Sequence, residues 1–341
     1  MGGSGFIGTR LVPRLLDGGY RVTIADIAPS VRFPELRQPC DVRCYEDVRR
    51  ACEGADLICN LAAAHRDDVR PLSLYHDVNV RGAENVCRAA AEAGVRRIVF
   101  TSSVAVYGSS PVELDEHAET HPFNEYGRSK LAAEAVYQQW HQASPDRGLT
   151  IVRPTVVFGE DNRGNFYNLA RQIAGRRFVL VGQGTNRKSV AYVENVAAFL
   201  EFVMQFGSGE RLFNYVDKPD LDMNALVALI RRELGRPGQV RVRLPYWLAY
   251  GIGMGCDLVA RVTRRPLLLS AVRVAKFCAN TQFSAARAQA LGFAPPVDLP
   301  TAIRRTIQKE FLDGALCDAA VHSTQDEVES PAEAEPGPPN T

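Results

Sequence analysis

Tyr126 and Lys130 stand four residues apart in Glu125-Tyr126-Gly127-Arg128-Ser129-Lys130-Leu131, a spacing that puts both side chains on one face of a helix. A free phenol ionises near pH 10. A neighbouring ammonium stabilises the phenolate and lowers that value, so Tyr126 could exchange protons near neutrality. Random placement of the chain's tyrosines and lysines would give this spacing about 0.16 times, so an ordinary surface pair is a weak competitor. A third candidate lies upstream in Ile98-Val99-Phe100-Thr101-Ser102-Ser103. Here a buried strand ends in hydroxyl residues at its carboxyl edge, where ligands of open α/β sheets bind. Ser103 could orient a sugar hydroxyl or carbonyl toward Tyr126, and Ser102 reads as a backbone-level cofactor contact.

A hydride acceptor would complete this chemistry, and the first residues offer a place for one. Gly2, Gly5 and Gly8 have GxxGxxG spacing around Phe6 and Ile7, followed by a helical run from Thr9 to Leu16. Such glycines let backbone N–H groups approach a pyrophosphate at the helix N-terminus. A strand from Arg21 to Ala25 then ends at Asp26, whose carboxylate would accept hydrogen bonds from ribose hydroxyls and repel a 2′-phosphate. NAD is therefore favoured over NADP, with Arg32 and Arg37 keeping NADP open. The fingerprint normally follows a strand, and here the loop begins at residue 2. The expectation is an apparently missing first strand, with the natural protein starting upstream.

These residues need a scaffold. Short β-rich runs at Leu57–Leu61, Ile98–Ser102 and Thr150–Arg153 alternate with helical segments such as Gly82–Ala93. That pattern predicts an α/β Rossmann fold with a doubly wound parallel sheet. The NAD-binding domain is expected over 1–160. A smaller C-terminal substrate-binding lobe is expected over 161–316, interleaved with Rossmann elements at about 190–205. Residues 317–341 lack Lys and Arg, are rich in acids and proline, and read as a disordered acidic tail.

Composition narrows the partners. The net charge is +1, which gives no reason to expect nucleic acid or an anionic surface. None of the eight cysteines forms a CxxC pair or a zinc-type cluster, so no metal is expected and a cytoplasmic setting is simplest. No signal peptide is evident. The apolar stretch from Tyr246 to Val262 carries Asp257 and Arg261 and is too short to span a bilayer. It reads as a buried or lid helix, with an interfacial helix as the alternative.

With Gly2–Gly8, Asp26, Ser103, Tyr126 and Lys130 in order, the chain resembles the extended short-chain dehydrogenase/reductases. More narrowly, it resembles the NAD-dependent epimerase/dehydratase family acting on nucleotide sugars, over about residues 1–312. The resemblance implies further roles. Asp41 and Val42 would lie beside the adenine, and Leu61, Ala62, Ala63 and His65 over the cofactor phosphates and ribose. Asn79 would steady the active-site strand, and Arg153 and Pro154 would begin a strand carrying nicotinamide contacts. Lys188 would meet the substrate diphosphate where relatives place an arginine, and Asn165 would fall near a nucleotide-contacting segment. A homodimer through the helices around 80–93 and 128–143 is implied too.

Three reactions share the first hydride transfer. Dehydratases need an acidic pair after the residue matching Ser103. Val104 and Ala105 stand there and cannot move protons. A 4-epimerase, acting on a UDP-linked sugar through a transient 4-keto form, fits the tightly held NAD that Asp26 favours. Val156, where many epimerases carry an asparagine, is a departure from that pattern. An NAD(P)H-dependent reductase of a 4-ketosugar would use the same three residues in reverse. A hydroxysteroid-type dehydrogenase and a non-catalytic NAD-binding scaffold remain the other readings.

Overall fold

A computed structural model describes residues 1–66, 69–175, 178–240, 242–263 and 270–313. The expected acidic tail, 317–341, and Cys317 lie outside the described residues.

The chain opens with α1 (Gly8–Asp17), β1 (Ile24–Asp26), β2 (Arg37–Pro39) and α2 (Tyr45–Cys52). Next come β3 (Leu57–Asn60), α3 (Ser73–His76), α4 (Gly82–Glu92), β4 (Arg97–Thr101), α5 (Glu125–Gln142) and β5 (Gly148–Pro154). These parallel strands are ordered β3, β4, β5, and β10 (Gly209–Tyr215) closes the edge beyond β5. Before it lie β6 (Val156–Phe158), α6 (Asn165–Ala174), β7 (Leu180–Val181), β8 (Arg187–Lys188), β9 (Val190–Tyr192) and α7 (Val193–Val203). After it come β11 (Leu221–Asp222), α8 (Met223–Glu233), β12 (Arg243–Leu244), α9 (Tyr246–Thr263), α10 (Ala271–Cys278), α11 (Ala286–Ala290) and α12 (Leu299–Ile307).

The two faces of the sheet follow from the period of two along β4. Ile98 and Phe100 pack with Val48, Val86, Ala133 and Tyr137 of α2, α4 and α5. Val99 points the other way, to Leu11, Phe199 and Val203 of α1 and α7. Helices thus cover both faces, and each such large side chain contributes roughly 1.5–3 kcal/mol by leaving water. A separate core joins Phe158, Phe166, Ile173, Leu226, Ile230 and Ile303 beyond the sheet.

β1 and β2 pair in parallel as a unit of their own. Met1 and Gly2 stand between this pair and β3. The Met1 ammonium donates to Cys59 O (2.7 Å), Leu61 N donates to Met1 O (2.9 Å), and Gly2 N donates to Ala25 O (2.8 Å). Two residues therefore carry the backbone connection at the carboxyl edge, where the expected first strand would end. β1 begins at Ile24, later than the run from Arg21 predicts, because its register with β2 starts only at Ile24 opposite Arg37. β5 runs through Pro154, which lies opposite Tyr215, so Arg153 and Pro154 end a strand where they were expected to begin one. No described helix is long and apolar enough to cross a membrane.

Candidate active site

α5 brings the candidate proton-transfer residues to the sheet's carboxyl edge. Asn124 caps its start, with Oδ1 accepting from Gly127 N at 2.8 Å. Gly127 is required by closeness: a Cβ there would stand 2.5 Å from Ala105 O. The first turn of α5 therefore abuts the short turn Val104–Val106 that follows Ser103. Tyr126 is half-buried, with its ring 6.4 Å from that of Tyr75.

Lys130, one turn on, is buried with its Nζ 4.4 Å over the Phe100 ring. Burial pushes its pKa down to about 7, and the carboxylate of Glu134 opposes that shift. Ser103 Oγ accepts from Ala105 N at 3.2 Å, which fixes the oxygen and leaves its own proton to donate to a substrate oxygen.

Glu134 is a member of this site that sequence reasoning missed. It is 3% exposed, yet it holds Arg153 at two points, Nε to Oε1 at 2.8 Å and the second guanidinium nitrogen to Oε2 at 2.5 Å. Ser102 Oγ also donates to Glu134 Oε1, and the Arg153 guanidinium lies 4.7 Å over the Tyr107 ring. The side chains of Ser102 and Arg153 are thus turned to Glu134. The available signal was Lys130 to Glu134 at four-residue spacing, which on sequence alone reads as an exposed pair.

The glycine loop leads from Gly2 into α1. Gly2 has φ +75°, and a Cβ there would stand 2.6 Å from Ala62 N, so loop and Leu61–Ala63 backbone meet without side chains between them. Phe6 and Ile7 pack into the core beside Phe158 and Tyr192. Gly5 N donates back to Gly2 O at 3.2 Å, and Gly8 opens the helix. Asp26 spans the loop, accepting from Ser4 N and Ala28 N, each at 2.9 Å.

Asp41 is held by Arg43, whose hydrogen bonds lower its pKa, and Val42 is buried with its carbonyl accepting from Asn85. His65 is exposed, its Nδ1 3.5 Å from Ala63 O. Asn79 is buried in a helical turn between α3 and α4 and bonds both Ala64 and Ser129. It steadies a loop and a helix, and no strand.

These residues fit a dinucleotide. The loop leaves backbone at a helix start, where an anion is favoured, and an acid stands at the end of the next strand. Thr101 Oγ1, Thr155 Oγ1 and Asn214 Nδ2 are buried at the carboxyl ends of β4, β5 and β10 with no hydrogen-bond partner among the described residues. Orphaned polar atoms at that edge suit a ligand.

Residues beyond the sheet supply the remaining candidates. Asn165 is exposed at the first turn of α6. Lys188 Nζ donates to Lys276 O (2.9 Å) and Ala279 O (2.6 Å), and burial pushes its pKa down to about 8. Among the described residues no cluster of His, Cys, Asp or Glu could hold a metal ion.

A doubly wound sheet, a glycine loop, a strand-end acid and a tyrosine–lysine helix define an oxidoreductase of the extended short-chain dehydrogenase/reductase type. Residues 1–215 match the model of the NAD dependent epimerase/dehydratase family, and the chain belongs to that family, with NAD as its cofactor. The chain is 44% identical to the N-acetyl-alpha-D-glucosaminyl-diphospho-ditrans,octacis-undecaprenol 4-epimerase of Escherichia coli O157:H7, over 96% of each chain. It is 25% identical to the decarboxylating sterol-4-alpha-carboxylate 3-dehydrogenase of Mus musculus, over 90% of this chain and 89% of that one. Among solved structures, the UDP-glucose 4-epimerase of Thermotoga maritima with UDP-glucose shares the fold. Its TM-score is 0.72 at 20% identity, covering 92% of this chain and 98% of that one.

Proposed function

We propose that this enzyme interconverts the C4 epimers of an N-acetylhexosamine joined through a diphosphate to a polyprenol. One observation carries the reading: the 44% identity to the Escherichia coli polyprenol-linked epimerase extends over 96% of both chains. NAD, held at the Gly2–Gly8 loop and Asp26, would supply a reversible hydride acceptor for C4, open to either face of the 4-keto sugar. Tyr126 takes the proton of the C4 hydroxyl and gives it back, with the charge of Lys130 favouring its phenolate. Ser103 donates to the C4 oxygen and holds it within reach of that phenol. Val104 and Ala105, in the turn beside Ser103, offer no group for eliminating water.

Lys188 and Asn165, both from the second lobe, face the diphosphate side in this reading. A UDP-linked sugar would differ only beyond that diphosphate. The same reading divides the chain near residue 160, supported by the separate core around Phe158 and Ile303, with residues 190–205 returning to the sheet. It pairs two copies through α4 and α5. It places the enzyme in the cytoplasm, in keeping with seven free cysteines among the described residues.

The test is to incubate the protein with N-acetylglucosaminyl-diphospho-undecaprenol in detergent and, separately, with UDP-N-acetylglucosamine, then to hydrolyse and chromatograph the sugars. N-acetylgalactosamine is expected from the lipid-linked substrate. Conversion of the nucleotide sugar alone would move the reading to UDP-linked substrates. Conversion of neither would reject the epimerase.

A further inference from the structure

α9 has two unlike faces. Its inner stripe, Ala249 and Gly253, packs on α10: Ala249 is 1% exposed, and a Cβ at Gly253 would stand 2.6 Å from Ala271 N. Asp257, the one acid of the helix, turns to the same side, its Oδ2 accepting from Ala271 N at 3.1 Å. The outer stripe repeats at helical spacing and is apolar. Trp247 is 73% exposed and Met254 55%, with Tyr250 between them, and Ile252 is exposed on the helix's other flank. Val272 of α10, the helix against which α9 packs, is 60% exposed as well. A folded chain rarely leaves so much aromatic and aliphatic surface along one helix without a partner.

The charge of this stretch of sequence is one-sided. Residues 239–279 carry seven Lys or Arg and one acid, Asp257, although the whole chain is nearly neutral at +1. An exposed Trp and Tyr on an apolar stripe, in a stretch of sequence rich in bases, match the headgroup region of an anionic bilayer. A protein partner of ordinary composition would not call for that bias.

The patch is continuous with the second lobe's cleft. Tyr246, the first residue of α9, lines a cleft of about 500 Å³ together with residues 182–186 and with Ala275, Cys278 and Ala279 at the end of α10. The Ala279 carbonyl in that wall accepts from Lys188, the residue on the diphosphate side.

We propose that the outer face of α9, with Val272, lies in the headgroup–acyl boundary of an anionic membrane. The cleft at Tyr246 then receives the diphosphate of a lipid whose polyprenyl chain stays in the bilayer. The proposal rests on the polyprenol reading of the substrate. It also explains how an 18-residue helix can be apolar outside without crossing the membrane.

The test uses the full chain and sucrose-loaded vesicles of phosphatidylcholine, with and without phosphatidylglycerol. The protein is expected to sediment with the anionic vesicles. A Trp247→Ser/Met254→Ser variant should lose about tenfold or more in partitioning. Trp140 is buried and Trp247 exposed, so Trp140→Phe leaves one reporter, whose emission should shift to the blue on vesicle addition.

Turnover of a water-soluble short-prenyl diphosphate sugar is read in parallel and should be equal in the wild type and the double variant, which shows that the variant folds. Absence of vesicle binding with that turnover intact would overturn the docking. Equal binding by the double variant would overturn it too. So would a lipid-free dimer that the variant splits and vesicles ignore, because the patch would then be a contact between copies. Vesicle binding without turnover would overturn the substrate reading instead.

Discussion

Asn79 donates from Nδ2 to Ser129 Oγ at 2.8 Å, and Ser129 Oγ donates onward to the carbonyl oxygen of Tyr126, also at 2.8 Å. Asn79 simultaneously bonds both backbone groups of Ala64, N–H to Oδ1 at 2.9 Å and Nδ2 to C=O at 3.1 Å. One buried amide thus ties the segment at Ala64 to the helix that carries Tyr126. In the proposed reading Asn79 is a positioning residue for both halves of the site.

Asn79→Leu should therefore lose stability and turnover together. Each buried group left without its partner costs about 1–3 kcal/mol, read from urea denaturation. The loosened first turn of α5 should lower kcat more than it raises KM. Asn79→Asp keeps the acceptor for Ala64 N but loses both Nδ2 donors, and should fall between. A stability loss with kcat untouched would show that the link does not reach Tyr126.

Much of this site was legible in the chain because its signals are local. The Tyr126–Lys130 spacing lies within one helix, and the Ile98–Ser102 run becomes β4 with Ser102 and Ser103 just beyond its end. Glu134 escaped because burial decides its meaning. The same i,i+4 spacing fits a solvated pair, and only Arg153, 19 residues away on β5, makes it a buried anion. The role of Asn79 escaped for the same reason, since Ser129 lies 50 residues on. The sequence reads α9 first as a buried or lid helix, and its outward face departs from a buried one: an apolar stretch does not say which side a neighbour covers, and only the packing of α9 on α10 leaves Trp247 and Met254 exposed.

The buried lysine makes stability depend on pH in a direction that can be stated. Lys130 is pushed from an ordinary 10.5 down to about 7 in the fold. Between those values the unfolded chain holds a proton that the folded chain has released. Its contribution is therefore complete above pH 10.5 and lost as pH falls through about 7. Relative to Lys130→Met, the wild type should gain stability from pH 7 to pH 10, on the order of 1 kcal/mol per pH unit at most. Parallel curves for the two proteins in cofactor-free denaturation would show that Lys130 is not held in this way.

Glu134 and Arg153 form an ion pair with side chains 3% and 6% exposed. Removing one partner leaves the other charge buried, so Glu134→Gln should cost about 3–5 kcal/mol. Replacing both, as in Glu134→Leu with Arg153→Met, should recover most of that loss. The pair also acts on Lys130, because Glu134 is the charge that opposes its downward shift. The double variant should consequently lose activity at lower pH than the wild type on the alkaline side, even where its stability is restored. Urea denaturation and a kcat–pH profile of the same protein check the two effects separately.

Tyr126 and Asp26 should give opposite signatures, because in the proposed reading one moves a proton and the other shapes the cofactor loop. Tyr126→Phe removes only the phenolic oxygen of a half-buried ring, so NAD binding should stay near normal. Turnover should fall on the order of 10²–10⁴. Asp26→Ala leaves the proton path intact but removes the acceptor for Ser4 N and Ala28 N, together with the carboxylate that would take the ribose hydroxyls. NAD should bind more weakly, its advantage over NADP should narrow, and kcat at saturating NAD should change little. Calorimetric titration with each dinucleotide, beside steady-state turnover, reads both. If Tyr126→Phe weakened NAD binding as much as turnover, the phenol would be a wall of the cofactor site and not its proton carrier. If the NAD to NADP ratio were unmoved in Asp26→Ala, the carboxylate would be serving the loop alone.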